Sequence, residues 1–168
     1  CKIVLTGANA IGKTTLLKSI LGLIPALSGK VELGDYLEIG YFEQEMSQDG
    51  SNTCIEEIWQ AFPAFSQYEV RSALARCGLT TKHIESQVRV LSGGEQAKVR
   101  LCKLLNKPSN VLVLDEPTNH LDADAKAELK RALQAYRGSL LMVCHEPGFY
   151  DGLATDVIDC GKWTTRAI

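Results

Sequence analysis

Asp115 and Glu116 stand side by side at the end of the apolar run Val111-Leu112-Val113-Leu114. Adjacent carboxylates can divide labour: one holds a metal ion while the other handles a proton or a water. An unbroken apolar run suits a strand buried on both faces of a parallel sheet. The pair would then emerge at the carboxyl end of that strand, where open α/β sheets bind ligands. Read alone, the same residues also describe a strand that ends in a Glu-Pro turn.

A second constellation lies near the start. Ile3-Val4-Leu5 leads into Gly7-Ala8-Asn9-Ala10-Ile11-Gly12-Lys13-Thr14-Thr15. This fits Gly-x-x-x-x-Gly-Lys-Ser/Thr, a loop whose backbone N–H groups cradle a phosphate chain. Gly7 and Gly12 permit the curl. Lys13 offers a point charge to the outer phosphates, and the Thr14 hydroxyl can enter a Mg²⁺ shell. Leu16, Leu17, Ile20 and Leu21 recur at helical spacing, so a helix start directs its positive dipole end at the same place.

A third feature is Leu91-Ser92-Gly93-Gly94-Glu95-Gln96 before Val99, Leu101, Cys102 and Leu105. Ser92 and Glu95 form a Ser-x-x-Glu capping box. A capping box needs no glycines, so Gly93 and Gly94 predict a close approach of a ligand to the backbone.

The elements around these residues read as follows. Pro25 and Ser28-Gly29 end the first helix. Val31 to Phe42 predicts a hairpin turning at Gly34-Asp35, followed by Gln44. Thr53–Phe62 and Tyr68–Cys77 predict short helices, with Ile55, Ile58 and Trp59 on one apolar face; Leu79–Val90 is ambiguous. The set Trp59, Phe62, Phe65 and Tyr68 suits helix packing better than base stacking. Ala123–Tyr136 predicts an amphipathic helix, capped by Asp122 and ended at Gly138. Ser139–Cys144 predicts another buried strand, ending at His145, and Val157-Ile158 a last short one. Strand, helix, strand in this order implies a parallel sheet.

Composition narrows the class. The chain has 168 residues, 45% apolar and 23% charged, with net charge -2. That suits one globular domain and supplies no bulk basic field for nucleic acid. No apolar stretch approaches the ~20 residues that cross a bilayer. The six cysteines form no Cys-x-x-Cys pair, which points to reduced thiols in a cytosolic protein rather than a disulfide framework or zinc site.

The phosphate loop, Gln44, Leu-Ser-Gly-Gly-Glu-Gln, Leu-Asp-Glu-Pro and His145 occur in the order seen in ATP-binding cassette (ABC) ATPases, from Ile3 to about Trp163. The words Asp-Glu-Pro-Thr-Asn-His-Leu-Asp and Tyr-Phe-Glu-Gln are most similar to the F subfamily (ABC-F). The resemblance implies an α/β P-loop NTPase fold: a mostly parallel sheet flanked by helices, a hairpin region near the N-terminus and a helical subdomain over about 46–90. It implies ATP and Mg²⁺ as ligands. Gly7 to Thr15 would bind the nucleotide, with Thr14, Asp115 and Gln44 on the metal. Glu116 would polarise the attacking water, Gln44 would sense it, and His145 would contact the γ-phosphate. Ser92, Gly93, Gly94, Glu95 and Asp122 would cover ATP held by a second cassette, on the same polypeptide or in a homodimer. Members of the F subfamily are cytoplasmic, carry two cassettes without membrane spans, and many act on the ribosome. Only 92 − 44 = 48 positions separate Gln44 from Ser92, which suits the second cassette.

Read from the residues alone, Gln44 is a polar residue after a strand, His145 a strand-end histidine and Asp122 an N-cap; His120 and His83 receive no chemistry. The family's adenine-stacking aromatic belongs upstream of the first strand, which here begins near Cys1, so the expectation is a single cassette cut short at its N-terminus. Two other readings stay open. One is the nucleotide-binding subunit of a membrane transporter, and the other is a nucleotide-dependent clamp that does not hydrolyse.

Overall fold

The computed structural model describes residues 1–9, 11–42 and 51–163. The apolar runs form a five-stranded sheet: β1 (Lys2–Thr6), β2 (Ile39–Phe42), β3 (Val111–Asp115), β4 (Ser139–Val143) and β5 (Asp156–Asp159). Every pairing is parallel and the spatial order is β2-β3-β4-β1-β5. Val4, Leu112, Leu114, Leu140, Met142 and Val143 are buried, as strands without alternation require. Register matters for the site. Val143 stands opposite both Leu5 and Asp115, so the carboxyl ends of β1, β3 and β4 finish level.

The chain divides into two compact units. The first is the sheet with α1 (Lys13–Ile20) and α7 (Pro147–Tyr150): Cys1–Gln44, Ser109–Pro117 and Arg137–Ile168. Leu5, Leu17, Val113, Val143 and Cys160 form a core in it.

The second is helical: Glu45–Pro108 and Thr118–Tyr136. It holds α2 (Cys54–Ala61), α3 (Gln67–Arg76), α4 (Thr81–Glu85), α5 (Gly93–Asn106) and α6 (Ala123–Ala135). Short helices are marginal alone because nucleation is costly. Here four of them begin with reciprocal capping boxes: Thr53 with Glu56, Ser66 with Glu69, Thr80 with His83, and Ser92 with Glu95. Ile58, Val70, Leu74, Ile84, Val88, Val99 and Cys102 pack into one core. Lys103 and Glu57 form an ion pair beside it.

Several expectations need correction. No hairpin forms over Val31–Phe42. Residues 31–38 are irregular, and only Ile39–Phe42 is a strand, paired in parallel with β3. The cause is Asn110. Its amide Nδ2 donates to the Tyr36 carbonyl at 2.7 Å, and its Oδ1 accepts from Glu38 N–H at 2.9 Å. The turn is thereby tied to the start of β3, with Tyr36 at φ 64°. Trp59 is 40% exposed while Ile58 is fully buried, so the apolar face of α2 is narrower than expected. Phe62 and Phe65 stack at 5.0 Å and pack on the helical core, which leaves Tyr68 exposed. Leu79–Val90 resolves into α4 and one 3₁₀ turn, Val88–Val90. All six cysteines are free thiols, and all but Cys1 are buried.

Candidate active site at the carboxyl ends of the strands

The loop after β1 carries two backbone conformations that a side chain resists: Gly7 at φ 134° and Gly12 at φ 97°. Gly7 is also crowded, since a Cβ there would lie 3.1 Å from Gly161 N. Lys13 opens α1 with its side chain folded back into the loop. It is 5% exposed, and its ammonium donates to the carbonyls of Gly7 and Ala8, both at 2.7 Å. The loop is thus built around a buried cation, which suits a polyanion. Ala10 lies outside the described residues.

Asp115 closes β3 beside this loop. The Thr14 hydroxyl donates to its carboxylate. Burial raises the Asp115 pKa; the Thr14 bond, Lys18 and Lys13 oppose the rise, and the Glu116 charge adds to it. Its Oδ1 is buried and makes no hydrogen bond. A buried carboxylate oxygen without a partner, in contact with a second oxygen ligand, is the donor set that Mg²⁺ takes alongside phosphate oxygens. Thr14 and Asp115 therefore fit the ion. Gln44 lies outside the described residues.

The cost of an unpaired charge makes a prediction. Asp115 has a folded pKa above its unfolded value, so the native state holds the extra proton between the two. Stability therefore falls as pH rises through that window and stays lower above it. Asp115→Asn should melt a few degrees above the parent at pH 7 when empty, with the gap closing below about pH 4, where unfolded carboxyls also protonate. Mg²⁺ and ATP should no longer raise its melting temperature. A variant that melts lower, or still gains from Mg²⁺-nucleotide, contradicts the assignment.

Glu116 follows with φ 46°, an uncommon conformation for a residue with a Cβ. Its N–H donates to the Val143 carbonyl at 2.9 Å, which fastens the strained residue to β4. From the end of β4, His145 reaches back: its Nδ1 lies 3.5 Å from Glu116 Oε1. Strain held by the surrounding structure clusters at functional sites. The spacing of residues does not reveal this strain.

The remaining named residues belong to the helical unit. Ser92 caps α5: its hydroxyl accepts from Glu95 N–H at 3.3 Å, and Glu95 Oε2 accepts from Ser92 N–H at 2.8 Å. Gln96 donates to the carbonyls of Val88 and Leu91 and so fixes the approach to Ser92. Asp122 caps α6 by accepting from Ala125 N–H at 2.8 Å. The two glycines differ. A Cβ on Gly94 would meet the His120 carbonyl at 3.2 Å, so Gly94 has a packing reason. At Gly93 the nearest atom would be 4.0 Å away, so the surface there is open to a ligand. Two contributions escaped the sequence: the His120 backbone, at φ 64°, against Gly94, and the His83 ring against Glu95. The Thr-x-x-His spacing of a capping box is the only sequence signal for His83.

A parallel sheet with a Gly-rich loop wrapped on a lysine after its first strand, and an acidic pair at the tip of another, defines a P-loop nucleoside triphosphatase. A model of the ABC transporter family matches residues 1–119. The chain belongs to that family, and its relatives include F-type members. It is 65% identical over 99% of its length to the uncharacterized ABC transporter ATP-binding protein YfmM of Bacillus subtilis, covering 32% of that protein. It is 38% identical over 94% of its length to ABC transporter F family member 2 of Arabidopsis thaliana, covering 24% of it. Among solved structures it is similar to the archaeal ribosome recycling factor aABCE1 in complex with the ribosomal stalk protein aP1. The TM-score is 0.79 at 26% identity, over 96% of this chain and 33% of that one. The chain thus spans a third or less of each of these proteins. No helix among the described residues is long and apolar enough to cross a membrane.

Proposed function

We propose that this chain is one ATP-hydrolysing cassette, the second of two, in an F-type protein that works in the cytoplasm on the ribosome. The observation that carries hydrolysis is the orphaned, buried Oδ1 of Asp115 in the group that also holds Thr14, with Glu116 strained at the strand tip beside it. A binding-only clamp has no use for a base at that place. The F-type assignment is supported by likeness to an F family member, and the ribosomal setting by likeness to a recycling factor.

The proposed roles follow from the atoms. The loop amides and Lys13 hold the phosphates, Lys13 exchanging its carbonyl partners for phosphate oxygens. Thr14 and Asp115, with Gln44, would hold Mg²⁺, which would neutralise charge on the phosphate oxygens. Glu116 accepts a proton from the attacking water, and its fixed backbone sets where that water lies. His145 keeps the Glu116 carboxylate in place and offers its ring to the γ-phosphate. Phosphoryl transfer asks the protein mainly for positioning and charge, and these groups supply both.

Ser92, Gly93 and Gly94, with Asp122, serve ATP held by another cassette. One chain then has two half-sites, so turnover per chain should rise with protein concentration until pairing saturates. A phosphate-release assay over a hundredfold concentration range checks this, and a constant, already fast specific rate would sink the pairing. Sedimentation with ribosomes in the ATP-bound state tests the setting. Co-purification with a membrane permease instead would replace it with the transporter reading.

A further inference from the structure

His83, like His120, is a histidine that none of these roles uses. It sits on α4 at the third position of the Thr80 capping box, where its Nδ1 accepts from Thr80 N–H at 3.4 Å. An accepting Nδ1 leaves the ring proton on Nε2. Nε2 lies 3.2 Å from Glu95 Oε1. The other Glu95 oxygen accepts from Ser92 N–H at 2.8 Å. Two capping boxes, one on α4 and one on α5, are therefore joined head to head through a single carboxylate. Neither partner is deeply buried: the side chains are 29% and 27% exposed. Without the His83 contact the carboxylate would be held through one oxygen only and could swing away from Ser92.

Such a swing would matter there. The open backbone at Gly93 and the Ser92 hydroxyl are the surface offered to an anion. A loose carboxylate one helical turn away would repel that anion and withdraw the acceptor from Ser92 N–H. The groups that face this pair are few. Lys98 of α5 acts on Glu95, and Cys54 of α2, with Glu57 near it, donates its thiol to the His83 carbonyl at 3.3 Å. The Ser92 N–H holds the Glu95 carboxyl below its ordinary pKa against desolvation, with His83 and Lys98 adding to the effect.

We infer that His83 is a positioning residue of the partner-facing half-site: its Nε2–H latches one Glu95 oxygen while the other holds the Ser92 N–H, so that the Ser92 hydroxyl and the Gly93 backbone stay presented to a nucleoside triphosphate held by a second cassette. The inference rests on the proposed role of Ser92, and it assigns to α4 a part in that role.

The test separates the latch from the cap. Glu at position 83 still accepts from Thr80 N–H and keeps α4 capped, yet it repels Glu95. Gln at 83 supplies both the acceptor and the donor. In a Glu116→Gln parent, ATP-dependent pairing of the chain is followed by analytical ultracentrifugation. His83→Glu should weaken pairing about tenfold, the scale of one charge-assisted hydrogen bond. His83→Gln should stay within about threefold of the parent, and adding Glu95→Gln to His83→Glu should recover most of the loss, because coupled residues are non-additive. Nucleotide affinity of the unpaired chain should not move, and its melting temperature should fall by no more than a few degrees. Equal pairing in His83→Glu and the parent overturns the latch alone. Loss of pairing that Glu95→Gln does not relieve reduces His83 to a helix cap. No ATP-dependent pairing in the parent overturns the role of Ser92, and the latch with it.

Discussion

Glu116→Gln should bind Mg²⁺-ATP with the affinity of the parent and lose steady-state turnover by about 10²- to 10³-fold, the scale of general-base catalysis by a positioned side chain. The substitution removes a proton acceptor and leaves the shape. The N–H of residue 116 still donates to Val143, so the strained backbone at φ 46° keeps its anchor. Binding should therefore survive while the chemical step fails, which is the pattern of a group used only in the transition state. ATP then persists, and two chains that share it should accumulate as a pair. Phosphate release under single-turnover conditions, run beside size measurement with and without ATP, reads both effects. Turnover within threefold of the parent would remove Glu116 from the mechanism.

Lys13→Ala should have its largest effect one step earlier. Lys13 is 5% exposed and its ammonium is held by two carbonyls of the loop. Taking it away leaves those carbonyls without their donor and removes the buried positive charge that meets the outer phosphates. Nucleotide affinity should fall about a hundredfold, the loss expected when a preorganised donor to a charged oxygen is deleted. The empty variant should also lose a little stability. Lys13→Arg is no substitute, because a wider planar head cannot sit between the Gly7 and Ala8 carbonyls. Titration with a fluorescent ATP analogue measures the affinity directly. Unchanged affinity would mean that the loop does not bind phosphate.

How much of this was legible beforehand differs from element to element. Val111-Leu112-Val113-Leu114 and Ser139 to Val143 announced buried parallel strands, and both are. Continuous apolar runs with carboxylates at the end have few other uses. The Ser92 capping box was equally plain, since spacing and residue type determine it. The Val31 hairpin failed because the decisive partner, Asn110, lies 74 positions beyond Tyr36. Gly93 and Gly94 looked alike, yet the close approach of the His120 carbonyl separates them.

The sequence by itself determined the loop that curls on glycines, the acidic pair at a strand end and the helix starts at Lys13 and Ser92. These are local devices, and their physics is contained in a few consecutive residues. Tertiary structure alone decided that Thr14 touches Asp115, that the Asp115 Oδ1 is left without a hydrogen bond, and that Glu116 is strained with His145 beside it. It also decided that His83 holds Glu95. Burial, backbone strain and contact between residues far apart in the chain arise only when strands align in register and helices pack, so no run of residues encodes them.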